Sequence, residues 1–212
     1  MQMAVSTAVT ADALLFQATL ADRDSSALPA LLERLQITLS PTPVRLQAAL
    51  SLDQKGLYVY LHFEQPCRIA KAWLTELEAR LHAAETKLEH VRVSRLEKVF
   101  APPCASAGEA PVFHYVVEMD PAPGQMPELS EWYDTEHMPG LAQVPGCVSA
   151  TRFLNHDHGP LSLACYDLIN QETLGSPPWL AVRNTDWSSR MRPHFTNTVR
   201  TMFRCYPSLT TP

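Results

Sequence analysis

The chain spells one order of elements twice, and that repetition restricts its folds more than any single motif. Residues 13–20 (ALLFQATL) read as a strand, and residues 27–39 (ALPALLERLQITL) space their leucines as a helix does. Residues 44–50 and 57–63 are strand-like and flank DQKG, a hairpin signal. Residues 69–84 (IAKAWLTELEARLHAA) form an amphipathic helix and residues 90–100 a last strand, giving β-α-β-β-α-β. After a Pro- and Ala-rich stretch, APPCASAGEAP, the order returns: strand 112–119, helix 128–144, strand 148–154, a polar turn NHDHGP, strand 161–168, a helical region 178–191 and strand 198–206. The expected organisation is residues 1–100, a linker at 101–111, and residues 112–212. Each half is a split β-α-β unit, an antiparallel sheet with both helices on one face and an apolar second face that needs a cover. Each sheet can cover the other, so the expected fold class is α+β, two tandem units packed sheet on sheet into a barrel-like body.

Composition narrows the function. With 17 basic and 22 acidic residues the net charge is −5, and no run of Lys or Arg offers a surface for a phosphate backbone, so no nucleic-acid partner is expected. The opening MQMAVSTAVTADALLFQ lacks the basic start and apolar core of an export signal, and no stretch approaches the roughly 18 apolar residues that span a bilayer. A soluble, cytoplasmic protein without a membrane partner is expected. Cys67, Cys104, Cys147, Cys165 and Cys205 are spread with no C-x-x-C pair, which fits small buried side chains better than a zinc site, a disulfide framework or a catalytic thiol.

The stretch SEWYDTEHMPG concentrates chemistry in a chain where 18% of residues are charged. On a helix, Leu129, Trp132, Tyr133, Glu136, His137 and Leu141 share one stripe, while Glu131, Asp134 and Thr135 fall on other, solvated faces. Pro139 and Gly140 predict a kink or an end just after His137. A histidine there is suited to pass protons near neutral pH, with the Tyr133 hydroxyl one turn away as a donor. The plain alternative is that both are core residues whose polar tips find backbone partners.

Other residues have two readings each. His156-Asp157-His158 resembles a metal triplet but occupies a hairpin turn, so no metal is assigned. In NTDWSSRMRPHF, residues Asn184 to Asp186 can cap a short helix that Pro193 ends. That segment is either packing or a lid or pocket wall in which Trp187 and Phe195 hold an apolar ligand and Arg190 or Arg192 meets a carboxylate or enolate. Arg152, inward on its strand, needs an anion: Glu118, Glu136 or a substrate. On the strand from 112, Tyr115 is expected in the core and His114 is a secondary site candidate.

The run EWYDTEHMPGLAQVPGCVSATRF, followed by LACYDL and SSRMRPHFTN, resembles the EthD-like branch of the dimeric α+β barrel superfamily, through Trp132, Tyr133, His137 and Pro139, then Val144-Pro145-Gly146, Arg152 and Phe153. The resemblance covers about 113–206. It implies a ferredoxin-like fold with His137 facing a cavity between helix and sheet, in a superfamily that includes cofactor-free isomerases, quinone-forming monooxygenases, polyketide cyclases and haem enzymes. The first half lacks the motif and is expected to be a degenerate repeat supplying the covering sheet. The leading expectation is therefore a cofactor-independent isomerase, cyclase or lyase acting on a small apolar aromatic, lactone or polyketide-like carbonyl compound. In it His137 is the acid or base, Tyr133 the enolate partner, and Trp132, Glu136, Arg152, Trp187, Arg190, Met191, Phe195 and His114 the substrate contacts. The alternatives are a haem- or oxygen-dependent oxidoreductase, with His137 or His194 as axial ligand, and a non-catalytic metabolite-binding protein. The expected partner is a small molecule, and the barrel closes in a homodimer or within one chain. No dinucleotide, P-loop, zincin or serine-hydrolase motif is present.

Overall fold

A computed structural model describes residues 8–21, 25–26, 28–39, 44–84 and 87–206. Residues 1–7, part of the stretch read for an export signal, lie outside the described residues. The chain divides into two compact units. Among the described residues, eight antiparallel strands and their helices make both units α+β.

The first unit holds residues 1–97, 156–158 and 205–212. Its elements are β1 (Ala8–Leu20), α1 (Leu28–Leu39), β2 (Val44–Ser51), β3 (Gly56–Ala70), α2 (Lys71–Ala84) and β4 (Leu88–Phe100). The strands pair in the order β4-β1-β3-β2, antiparallel throughout. Alternate residues of β1 (Leu14, Phe16, Ala18 and Leu20) meet Leu28, Leu31, Leu32 and Leu35 of α1 and Leu74, Leu77 and Leu81 of α2 in one core. The period of two on the strand and the i, i+3, i+4, i+7 spacing on the helices put these groups on facing surfaces. Each such leucine contributes about 2 kcal/mol by leaving water. DQKG makes the β2–β3 turn: the Ser51 hydroxyl bonds the Asp53 carboxylate and accepts from the Gly56 N–H at 2.7 Å.

β3 runs seven residues past the expected strand end, to Ala70, and the helix starts at Lys71 instead of 69. The polar run after Phe63 hides this strand from a pattern reading. It forms because β1 also reaches further back, pairing Ala8 with Ala70 and Val9 with Ile69. Pro66 falls in the register shift between the Ala13–His62 and Ala11–Cys67 pairs, where no ladder bond is lost.

The His156-Asp157-His158 turn belongs to this unit, and its side chains have protein partners. Asp157 receives Arg95 in a fork, Nε at 2.9 Å and Nη2 at 2.8 Å, while Nη1 donates to the Ile69 carbonyl at 2.7 Å. His156 Nε2 lies 2.9 Å from Glu97 and His158 Nε2 2.6 Å from Glu78. Burial works against ionised Asp157, but the Arg95 bonds outweigh it and hold the carboxyl below its ordinary range.

The second unit comprises residues 98–155 and 159–204. It contains β5 (Phe113–Pro121), α3 (Met126–Trp132), α4 (Met138–Ala142), β6 (Cys147–Asn155), β7 (Ser162–Leu168), α5 (Pro177–Arg183), α6 (Asp186–Met191) and most of β8 (Phe195–Tyr206). Its sheet order is β8-β5-β7-β6, again antiparallel. The Pro- and Ala-rich segment carries no strand or helix and is tied down by Ala105 N–H to the Ala142 carbonyl and Ser106 N–H to the Cys147 carbonyl. A second core gathers Phe113, Met119 and Tyr166 from the sheet with Leu129, Trp132, Leu141, Trp179 and Met191 from the helices. All five cysteines are free.

Candidate functional site

The helix expected over 128–144 is three pieces. Between α3 and α4, residues Tyr133–His137 form a π-helical turn in which the Met138 N–H reaches back to the Tyr133 carbonyl. Pro139 has no N–H for the carbonyl four residues earlier, and its ring collides with it, so the chain widens instead of simply kinking after His137. The wider turn changes which side chains face the sheet. Asp134, expected in solvent, binds Arg152, whose Nη2 lies 3.0 Å from Oδ1 and 3.2 Å from Oδ2, with Nη1 3.4 Å from the Ser130 hydroxyl. The guanidinium carbon sits 5.5 Å from the centre of the Tyr133 ring. Arg152 therefore pairs with neither Glu118 nor Glu136. Glu136 instead accepts from the Thr185 hydroxyl at 2.7 Å, and Thr185 also caps α6 by accepting from the Ser188 N–H at 3.1 Å.

These pieces wall a cavity of about 290 Å³. Trp132, Tyr133, His137 and Leu141 come from the helical side, Tyr115, Val117, Tyr166 and Arg200 from the sheet. Trp179, Leu180, Arg183, Ser188, Arg192 and Phe195 close it from α5 and α6 and the segment after them. Ser176 caps α5 by accepting from the Trp179 N–H, and the two prolines that follow fit the start of a helix. The rings interlock: His137 stacks on Trp132 with centroids 4.2 Å apart, Trp132 and Tyr133 are 4.5 Å apart, and Tyr166 meets Trp179 edge-on at 5.3 Å.

Three polar atoms, on residues that line the cavity, have no hydrogen-bond partner although they are buried: His137 Nδ1, Trp132 Nε1 and the Tyr166 hydroxyl. The reading in which the polar tip of His137 finds a backbone partner is thus corrected. Burial first, then the charges of Arg192 and Arg183, depress the His137 pKa to about 3, so the imidazole is neutral at pH 7. Burial raises the Tyr133 and Tyr166 hydroxyls, with Arg152 pulling Tyr133 part of the way back, and both remain O–H donors.

Of the residues singled out in sequence, Trp132, Tyr133, His137, Leu141, Arg192 and Phe195 meet at the cavity. Six expected contacts do not line it. Glu136 and Arg152 are engaged as described, Met191 is fully buried in the core, Trp187 packs against that core, and Arg190 is exposed. His114 lies on the opposite side of the sheet, its Nδ1 2.6 Å from Asp167, which also accepts from the Ser149 hydroxyl at 2.7 Å. His194 is half-buried and does not line the cavity either. Tyr115, expected in the core, is half-buried and forms part of the cavity floor. Its register partner Tyr166, together with Trp179, Arg183 and Arg200, was not foreseen. Alternation along 161–168 carries a signal for Tyr166, but the Tyr115–Tyr166 pairing is a long-range fact. Among the described residues no group of three His, Cys, Asp or Glu side chains is placed to hold a metal, and no helix is long and apolar enough to cross a membrane.

No protein-family model matches the chain, and no curated protein matches it in sequence. Solved structures do match in shape. A candidate monooxygenase from Fusobacterium nucleatum superposes with a TM-score of 0.63 at 8% identity, over 95% of this chain and 94% of the other. An anthrone oxidase-like protein gives 0.60 at 12% identity, over 96% and 97%. A chlorite dismutase variant from Candidatus Nitrospira defluvii, in complex with cyanide, gives 0.60 at 9% identity, over 93% and 92%. These neighbours carry oxidoreductase names, which overturns the expectation of a cofactor-independent isomerase, cyclase or lyase. The site agrees, since an imidazole with a pKa near 3 is a poor general base at neutral pH, where a base titrating close to the working pH serves best. At these identities the likeness is one of fold alone, an α+β fold of the ferredoxin-like kind.

Proposed function

We propose that the second unit is an oxygen-dependent oxidoreductase that oxidises a small, planar, enolisable aromatic compound in the cavity beneath His137. The observation that carries this reading is the set of three buried, unpartnered polar atoms, on His137, Trp132 and Tyr166, among the aromatic residues that line the cavity. A buried polar group without a partner costs roughly 1–3 kcal/mol, so a ligand whose oxygens meet these atoms gains that much per contact. Trp132 and Tyr166 donate to a ring oxygen of the substrate and favour its enol or enolate, the electron-rich form that reacts with O2. His137, neutral, exchanges a hydrogen bond with the same oxygen. For a ring methylene the balance is CH2 + O2 → C=O + H2O: one oxygen atom enters the carbonyl, the other leaves in water with both hydrogens, and the substrate supplies all the electrons. The names of the monooxygenase and anthrone oxidase-like neighbours support this class. The finer placement in an EthD-like branch rests on Trp132, Tyr133, His137 and Pro139, and the matching strand orders support reading the two units as diverged copies of one.

Cyanide and imidazole, bound in two of the chlorite dismutase structures, are ligands of haem iron, so the fold family implies haem. The residues present do not fit it. A volume of about 290 Å³ lies at the lower edge of the roughly 300–1,000 Å³ of small-ligand pockets, too small for a tetrapyrrole. An axial histidine also normally donates its second ring nitrogen to a carboxylate or carbonyl, and His137 Nδ1 has no such partner.

The test is oxygen consumption by the purified chain with anthrone as the probe substrate, with and without added haem. The expected result is one O2 consumed per anthrone, one atom of 18O2 in the product, and a loss of roughly 10²-fold in His137→Ala, the cost of removing one hydrogen bond to a developing oxyanion. Turnover without oxygen uptake, or oxygen uptake and a Soret band that both require added haem, overturns the reading.

A further inference from the structure

The three arginines on the cavity wall come from separate segments: Arg183 ends α5, Arg192 follows α6, and Arg200 lies in β8 opposite Val117. Arg183 and Arg200 are exposed and Arg192 is half-buried, so they form the outer, solvent-facing part of the lining, while Trp132, Tyr166 and Trp179 form its buried part. No Asp or Glu lines the cavity, and among the described residues none of the three arginines has a carboxylate partner. Arg192 is nonetheless held in place, donating to the Arg183 carbonyl at 2.5 Å and to the Ser189 hydroxyl at 3.1 Å. In a chain with a net charge of −5, such a grouping is a local inversion of sign.

We propose that the substrate is an aromatic anion, whose carboxylate or ionised hydroxyl is held by Arg183, Arg192 and Arg200 while its ring lies among Trp132, Tyr166 and Trp179. The proposal rests on the reading of this cavity as the oxidation site and adds the charge of the molecule it takes. Guanidinium groups suit this task because their planar forks meet two oxygens at once and lose little hydration on doing so. The field of these arginines already reaches the cavity rings: Arg192 and Arg183 depress the His137 pKa, and Arg200 and Arg183 lower that of Tyr115 against the larger effect of burial. An anion seated between the arginines offsets that field, while burial, the larger cause of the low His137 pKa, remains.

The test uses quenching of tryptophan fluorescence, since Trp132 and Trp179 form the walls. The probes are 2-naphthoate and its neutral carboxamide, titrated into the wild-type chain and into an Arg183→Gln/Arg192→Gln/Arg200→Gln variant. Naphthoate is expected to bind roughly 10- to 100-fold tighter than the amide, with the preference shrinking as salt rises. The variant is expected to lose the preference while binding the amide as the wild type does, which also shows that it is folded. Equal binding of acid and amide by the wild type, or a preference that persists in the variant, overturns the anion proposal and leaves the oxidoreductase reading standing. If neither probe binds, both fall.

Discussion

His137 shows how far a residue's chemistry depends on what surrounds it. In sequence, a helix end that favours a protonated imidazole and an apolar surround that opposes it pull in contrary directions, and the folded site decides between them: it stacks His137 on Trp132 and lets burial and two arginines dominate, leaving a pKa of about 3 against the usual 6.5. The consequence for stability has a definite sign. Below pH 6.5 the unfolded chain binds a proton that the folded chain refuses, so this residue's contribution is complete above pH 6.5 and declines as pH falls toward 3. Between pH 7.5 and 5 the decline is about 2 kcal/mol. Urea unfolding of the wild type and of His137→Gln at those two pH values checks it: the wild type loses about that much more than the variant, and parallel losses refute a neutral, buried imidazole. Motif spacing did lead to Trp132, Tyr133 and His137. It could not lead to Asp134 as the partner of Arg152, because a strict helical period puts Asp134 in solvent.

At the scale of elements, that error has one physical origin. The π-turn adds a residue to one coil of the helix, and a period of 3.6 cannot register it even though Pro139, its cause, stands in plain view. Strand β3 was cut short for a comparable reason, since residues past Phe63 are held by the register of β1 and not by their own alternation. The cavity's far wall depends on a close approach that the sequence marks only with a glycine. A Cβ at Gly140 in α4 would stand 2.8 Å from Cγ1 of Val182 in α5, so this glycine lets α5 lie against α4 and brings Trp179 and Arg183 to the cavity. Gly140→Ala is expected to cost about 1–3 kcal/mol by overpacking and to weaken naphthoate binding through displacement of α5. Adding Val182→Ala should restore both, because the offending methyl groups are removed. A Gly140→Ala chain with unchanged stability and binding would show that α5 yields without cost, and a double variant no better than the single one would place the effect elsewhere.

At the scale of the molecule, the order of strands and helices along the chain was legible because it needs only local periodicity and turn residues. What local patterns could not disclose is that units need not be continuous in sequence. The turn between β6 and β7 reads as a hairpin tip of the second half, yet His156, Asp157 and His158 belong to the first unit. There Arg95, only 2% exposed, has Asp157 as its fork partner, and the first core shares no buried residue with the second. Removing one member of a buried pair strands the other, which costs roughly 3–5 kcal/mol. Asp157→Asn should therefore lower hydrogen-exchange protection in β1, β3 and α2 by that amount while the amides of β5 and β7, on either side of the cavity floor, keep theirs. Arg95→Met added to it should recover most of the loss, since an apolar side chain of similar length needs no counter-charge. A fall in protection of equal size across β1 and β5 would mean that the two cores open as a single cooperative body, and a mutation in a surface turn could then silence the cavity without touching it.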